Sequence, residues 1–288
     1  MEYSLTTIDH VSGDVLDLVE FLVDEDFLVD LQNCRHCGAN VILEYFNGND
    51  DGAVWRCTNQ ACRRYQSARD GSFFASSHFA LHIQIRLIII FVSEGSPSSA
   101  ARLLGISRQT ATNYFIECRR MYDAELNATP ITFTNGGEYE VDECLIKRVK
   151  IMEGVYDVVW VQSILERATG KVFLHRIPNR SRPNMVPPVQ LRVPANSVVF
   201  TDEHASYGNI RHIGYYHASV NHSQGQYQRW GIVAGRMRNI HINGCEGINS
   251  MIRRRLTYKS RRTIEYLDLI LSEIMYRKSR RSLFDPFK

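Results

Sequence analysis

The spacing of apolar and polar positions changes character along this chain, and the changes mark its organisation. Residues 13–31, GDVLDLVEFLVDEDFLVDL, set dense apolar positions among acids, which predicts one or two short helices. Residues 34–74 lose that density to Cys, Gly, Asn and aromatic residues around a Gly-Asn-Asp-Asp-Gly turn at 48–52, the pattern of a small loop-rich module. From Ser77 to about Met121 the chain reads as helix. Ser77 is placed to cap a helix through Val92, Glu94-Gly95 stops it, and Ser96-Pro97 starts another that breaks at Gly105-Ile106-Ser107 before a third. Beyond the Asn135-Gly136-Gly137 turn, strands are predicted over 138–148, 156–166, 171–177, 198–202 and 215–220, with a Pro-punctuated segment before the fourth. Helices are predicted again over 243–256 and 263–281. Such a succession fits a mixed α/β domain of about 150 residues.

Composition adds scale and charge to this picture. With 288 residues, 44% of them apolar, there is room for one large domain and one or two small ones. The net charge of +3 is unevenly spread: residues 1–30 hold nine Asp/Glu and no Lys/Arg, while residues 251–288 hold eleven Lys/Arg against four acids. An acidic head and a basic tail suggest that the tail meets a polyanion. The opening MEYSLTTIDHVSGD lacks the features of a secretory leader, so an intracellular protein is expected. The most apolar stretch, 79–92, is too short to span a bilayer and contains His82, Gln84 and Arg86, so no membrane partner is expected.

Cys34-x2-Cys37 and Cys57-x4-Cys62, nineteen residues apart, have the form of a four-thiolate zinc site. Zinc takes four soft ligands in a tetrahedron, and two short Cys loops brought together across a hairpin supply them. His36 is an alternative ligand inside the first loop. The scattered Cys118, Cys144 and Cys245 read as small core residues. In 96–120, Ala100, Ala101, Leu103 and Leu104 offer a packing face, Gly105 permits a tight turn, and Ser107 can cap a helix carrying Arg108, Gln109, Thr112 and Asn113. Those four side chains suit base edges or phosphates, as in a helix-turn-helix.

Two strands end alike, in Val141-Asp142-Glu143 and Thr201-Asp202-Glu203, and NGCEGINSMIRRRL puts Glu246 near a helix start with Arg253 and Arg254 further on. Carboxylates converging from two strands and a helix can hold two divalent cations for in-line attack at phosphorus, and the arginines can neutralise phosphate. Neighbours on a strand face opposite ways, so at most one acid of each adjacent pair is expected in the site, and periodicity leaves open which.

These residues carry a resemblance. The Cys pairs with WRCTNQACRRYQSARDGSFF, the GISRQT turn, EVDE, TDE, HASVNHS and NGCEGINS, spread over roughly residues 30–260, resemble DDE transposases of the Merlin superfamily and their bacterial zinc-ribbon insertion-sequence relatives. The resemblance implies a ribonuclease-H-like catalytic domain over 135–288 with basic C-terminal helices. Before it would stand an acidic helical arm (1–31), a zinc ribbon (32–76) and a helix-turn-helix module (77–128). It implies Asp142, Asp202 and Glu246 as catalytic ligands of Mg²⁺ or Mn²⁺, with Glu143 and Glu203 left to support them, and one structural Zn²⁺. His217, Asn221 and His222 fall between the second and third acids, where they would touch DNA or hold the loop together, and the nearby Tyr227 and Trp230 would stack on a base or pack in the core. Relatives commonly carry an aromatic pair after the Gly that follows the third acid; Ile248-Asn249 stands there in this chain. The implied partners are terminal inverted repeats and target DNA, bound by a homo-oligomer in the nucleus. A catalytically silent regulator derived from a transposase, and a structure-selective nuclease on the same fold, are the alternatives.

Overall fold

A computed structural model describes residues 3–77, 79–221, 224–256, 263–280 and 282–288. The chain divides into two units, one comprising Met1–Met121 with Ser282–Lys288 and the other Tyr122–Arg281. None of the described helices is long and apolar enough to cross a membrane.

In the first unit, α1 (Leu5–Val11) and α2 (Val15–Asp24) begin at Ser4 and Asp14, whose side chains accept from Thr7 and Leu16 amides. The acidic stretch therefore forms two helices, and the first starts earlier than its apolar density announces. An antiparallel sheet of β1 (Val41–Tyr45), β2 (Ala53–Cys57) and β3 (Tyr65–Ser67) follows. α3 (Leu81–Val92) begins at Ala80 without a side-chain cap, so Ser77 does not cap it as expected. Its first amide, Leu81, instead donates to the buried Asp51 carboxylate at 3.1 Å, and Arg69 clamps that carboxylate in place. Ser96 does cap α4 (Pro97–Leu104), in a capping box with Ser99. Gly105, at φ 66°, ends α4 in the left-handed region, where a side chain would be strained. Ser107 then accepts the Thr110 amide at 3.0 Å to open α5 (Arg108–Ala128). The last residues also belong to this unit: the Phe284 ring meets Tyr3 and Phe27, and Phe287 meets Phe73.

The second unit is built on a five-stranded sheet. Its strands are β4 (Glu138–Met152), β5 (Val155–Glu166), β6 (Val172–Ile177), β7 (Val198–Asp202) and β8 (Tyr216–Val220), in the order β6-β5-β4-β7-β8. β4, β5 and β6 form an antiparallel meander, while β7 lies parallel to β4 and β8 parallel to β7. One face carries Cys144, Ile146, Val161 and Leu174 and is covered by α7 (Asn243–Arg255) and α8 (Ile264–Ser279) through Ile248, Ile252, Ile270 and Ile274. The other carries Tyr139, Val141, Ile164 and Val199 and is covered by α6 (Arg182–Arg192) through Met185, Val186 and Val189. A meander extended by two parallel strands, with helices on both faces, is a ribonuclease-H-like fold.

Two elements here escape the sequence pattern. α6 contains Pro187 and Pro188, which cost a helix its interior hydrogen bonds, yet its buried stripe against the sheet holds the helical path. A hairpin of β9 (Gln228–Val233) and β10 (Arg236–His241) sits between β8 and α7, and buries Val233 and Ile240 with Val198, Phe200, Ala218 and Val220.

The start of α7 is held from the sheet. No side chain of its own caps it; the Cys245 amide donates to the buried Glu140 carboxylate of β4 at 3.1 Å. Arg167 supports that carboxylate at 2.8 Å and donates to the Asn239 and His241 carbonyls of β10 at 2.9 and 2.7 Å. Gly244 lets the helix come this close, since a Cβ there would stand 2.3 Å from Leu165 and 2.9 Å from Glu140 Oε2.

Gly244→Ala should therefore destabilise the chain by roughly 1–3 kcal/mol in denaturant unfolding, the usual cost of overpacking. A second expectation concerns His175 on β6, whose ring nitrogens are buried without hydrogen-bond partners, and whose pKa is pushed down to about 4 by burial and by Arg192. The unfolded chain takes up this proton near 6.5 and the folded chain only near 4. Its contribution is thus fully retained above pH 6.5 and is lost as pH falls toward 4, by roughly 3 kcal/mol at most. His175→Leu should flatten the acid limb of stability against pH; an unchanged limb would show that His175 titrates normally.

Candidate active site

The acids sit on β4 and β7, but only β7 ends there as expected: Asp142 is the fifth residue of β4, which runs on to Met152, whereas Asp202 is the last of β7. The parallel ladder pairs Glu138 with Val198 and Glu140 with Phe200, and goes no further. In the same register Asp142 and Asp202 stand level, just past the last pair, where the backbones no longer bond each other. An opening at the ends of parallel strands is where such sheets place ligands. Asp142, Glu143 and Asp202 each bring an oxygen here, all within 4.8 Å of one another.

Both acids of the first pair are thus present, against the expectation that alternation admits only one. Asp142 lies on the α7 face, where Asn249 Nδ2 donates to it at 2.7 Å. Glu143 lies on the α6 face, where the buried Tyr207 hydroxyl and Arg180 donate to it. Beyond the end of the ladder, carboxylates from opposite faces can meet around the strand edge. In the second pair alternation holds: Asp202 joins the cluster, whereas Glu203 is exposed and accepts from Asn221 Nδ2 at 2.6 Å.

Glu246 arrives on the first turn of α7, directly after the Cys245 amide that Glu140 holds. It is not among the three acids with mutually close oxygens, but its charge reaches Asp142. Burial pushes the half-buried Asp142 carboxyl up to about 7, and the charges of Glu143, Asp202 and Glu246 add to that rise. Burial likewise raises Glu143, opposed by its bonds to Tyr207 and Arg180. Four carboxylates bearing on one half-buried opening form a hard-oxygen donor set, suited to a divalent cation.

Sequence reasoning missed Arg180 and Tyr207. Arg180 precedes α6, and its Nη2 donates to Asp202 Oδ2 at 2.8 Å. Nothing in the local pattern marks either residue, because both meet the acids only through the fold. Of the Ile248-Asn249 pair that stands where relatives carry aromatics, Asn249 contacts Asp142 and Ile248 packs into the core. His217, on β8, is half-buried and bonds Thr201 Oγ1 at 2.9 Å, with burial pushing its pKa down to about 4. It supports the strand that ends in Asp202. His222 lies outside the described residues.

The four cysteines form a second candidate centre. Their sulfurs lie within 4.8 Å of one another, with Cys34 to Cys62 at 3.9 Å and Cys37 to Cys57 at 3.5 Å. Backbone amides of His36 and Cys37 pull the Cys34 thiol down to about 7, while burial pushes Cys57 up to about 12. Such a cluster can hold a soft metal ion. The His36 ring faces the Arg64 guanidinium and is not part of the group.

The expected DNA-contacting residues divide. On α5, Arg108, Gln109 and Asn113 are exposed, and Gln109 bonds Asn113 at 2.7 Å. Thr112 is not available, being 2% exposed with its hydroxyl bonded to the Arg108 carbonyl. It falls on the packing side of the helix beside Ala111. Arg253 and Arg254 are exposed on α7. Among the described residues of the basic tail, Arg255 and Arg277 both bond the buried Glu273, and Arg280 bonds the Thr129 carbonyl. Tyr227 and Trp230 are exposed rather than in the core, Trp230 to 70%.

No protein of curated function matches the sequence. Among solved structures, the chain is similar to one in the simian T-cell lymphotropic virus intasome with PP2A regulatory subunit B56 gamma, at 10% identity and a TM-score of 0.29. The match covers 64% of this chain and 66% of that one. It is also similar to a chain of the Mos1 strand transfer complex, at 10% identity and a TM-score of 0.22, over 69% of this chain and 78% of that one. Likenesses this distant say nothing of what the chain does. The model of the ISXO2-like transposase domain, by contrast, matches residues 136–279, half of the chain, and spans β4 through α8 with every acid of the candidate site. The chain belongs to the ISXO2-like transposase family.

Proposed function

We propose that this protein is a DNA transposase, and that Asp142, Asp202 and Glu246 hold the divalent cations, Mg²⁺ or Mn²⁺, with which it cuts and joins DNA strands. The observation that carries this reading is the meeting of Asp142 and Asp202 just past the last pair of the parallel β4–β7 ladder, inside the stretch matched to the transposase domain. When bound, two such cations supply activation of the attacking oxygen and stabilisation of the leaving oxygen in displacement at phosphorus.

The chain's own residues set the geometry for this. Asn249 fixes the Asp142 carboxylate through its Oδ2. The His204 amide bonds Asp202 Oδ1 at 3.1 Å, which helps to orient that carboxylate. Burial and the neighbouring carboxylates hold Asp142 up at about 7, so a cation beside it would favour its charged form. Arg253 and Arg254, on the same helix as Glu246, would neutralise backbone phosphates, and Arg108, Gln109 and Asn113 of the helix-turn-helix would contact the terminal inverted repeats. The cysteine cluster would hold one Zn²⁺, since a three-stranded module of this size has little core of its own. A homo-oligomer holding two DNA ends in the nucleus completes the reading.

Two experiments test it. With the inverted repeats that flank the encoding locus as substrate, Asp142→Ala, Asp202→Ala and Glu246→Ala should each lower Mn²⁺-dependent cleavage and strand transfer by about 10²-fold or more while DNA binding persists. Glu203→Gln should stay close to wild type. Cleavage by all three Ala variants would sink the triad, and binding without any cleavage by the wild type would favour a silent regulator. Cutting without joining of a pre-cut end would point to a nuclease. Separately, elemental analysis should find about one zinc per chain, lost in Cys57→Ser; metal-free wild type that keeps its fold would make the four thiols ordinary core residues.

A further inference from the structure

Arg180 lies where a cation would be needed. Its Nε donates to Glu143 Oε2 at 3.1 Å, its Nη2 reaches the same oxygen at 3.1 Å, and Nη2 also donates to Asp202 Oδ2 at 2.8 Å. The guanidinium therefore shares its one positive charge between two of the three acids whose oxygens cluster, and it stacks at 5.2 Å over the Trp160 ring. Its two acid contacts differ in kind. Glu143 has a side chain with no exposure and is fixed by the Tyr207 hydroxyl, which Gln162 holds in turn at 2.8 Å. Asp202 is a quarter exposed, meets Arg180 through one N–H and has a second oxygen bonded to a backbone amide. One end of the bridge is anchored and the other is replaceable.

We infer that Arg180 is the resident counter-cation of this site, anchored by Glu143, and that a divalent ion must displace it from Asp202 in order to bind. A guanidinium and a divalent ion cannot share Asp202 Oδ2 without strong repulsion at such distances. The Glu143 anchor keeps the displaced arginine beside the site, so its charge continues to weaken metal binding after it has moved. Glu143 thereby acquires a positioning role through Arg180, which explains why an acid on the opposite strand face from Asp142 belongs to the cluster. This inference rests on the reading of Asp142, Asp202 and Glu246 as a cation site.

The test is a Mn²⁺ titration of the full, zinc-loaded chain, followed by electron paramagnetic resonance, together with thermal melting. Arg180→Met, which keeps the stem against Trp160 and removes the charge, should bind Mn²⁺ roughly tenfold more tightly than wild type. Its melting temperature should fall without metal and rise more steeply with Mn²⁺ than that of the wild type. Arg180→Lys, which keeps the charge, should bind within about twofold of wild type. Adding Asp202→Asn to Arg180→Met should remove the gain, which places it at this site. Equal or weaker Mn²⁺ binding by a folded Arg180→Met overturns the inference but leaves the cation site standing. Failure of wild type and both Arg180 variants to bind Mn²⁺ overturns both together.

Discussion

A buried carboxylate, Glu140 of β4, is the point on which the second unit depends. It accepts from the first turn of α7 through the Cys245 amide and is neutralised by Arg167 at the end of β5. Arg167 in turn bonds two carbonyls of β10 and lies 3.9 Å over the Phe200 ring of β7. One ion pair thus ties together two neighbouring strands, the inserted hairpin and the helix that carries Glu246 and Asn249. A buried charge left without its partner is costly, so neither residue can be removed without disturbing all four elements. The helix start is as closely constrained by space as by charge, because Gly244 leaves no room for a Cβ.

That anchor determines what the acids can do. α7 is fixed two residues along β4 from Asp142, so Asn249 reaches its carboxylate and Glu246 adds charge to the same opening. The β4–β7 ladder stops just short of this level, and carboxylates that alternation would keep on opposite faces bring oxygens within 4.8 Å of one another. Like charges in a half-buried opening raise one another's proton affinity unless a cation intervenes. Arg180 is one such cation, bonded to both Glu143 and Asp202. The site is therefore built around a deficit of positive charge that one internal arginine only partly fills.

Much of the architecture is visible in local pattern. The strands over 138–177 and 198–220, both late helices and the cap at Ser96 follow from period, β-branched content and turn chemistry, because each is decided by neighbours in sequence. α6 was hidden by its prolines, and only the sheet beneath Met185, Val186 and Val189 makes a helix the better state there. The β9–β10 hairpin was hidden for a related reason: it buries one side through Val233 and Ile240, while Trp230, Ile232 and Met237 remain exposed. The sum of charges in the tail does not say which of them face solvent, since Arg255 and Arg277 both pair with a single buried glutamate. Thr112 misled, a polar side chain whose hydroxyl is satisfied by its own helix.

For the candidate site, the sequence by itself determined which residue types were available and where they fell: adjacent acids on two strands, a third acid opening a helix, and four cysteines in two short loops. These are local facts, because a strand and a helix start are marked by the residues beside them, although the end of the first strand was misplaced. Only the tertiary structure decided which acids meet, that Glu143 joins Asp142 and Asp202, and that Arg180, Tyr207 and Asn249 complete their surroundings. Those contacts join residues tens to more than a hundred positions apart. They arise from the register of parallel strands and the anchoring of one helix, which no local window of sequence contains.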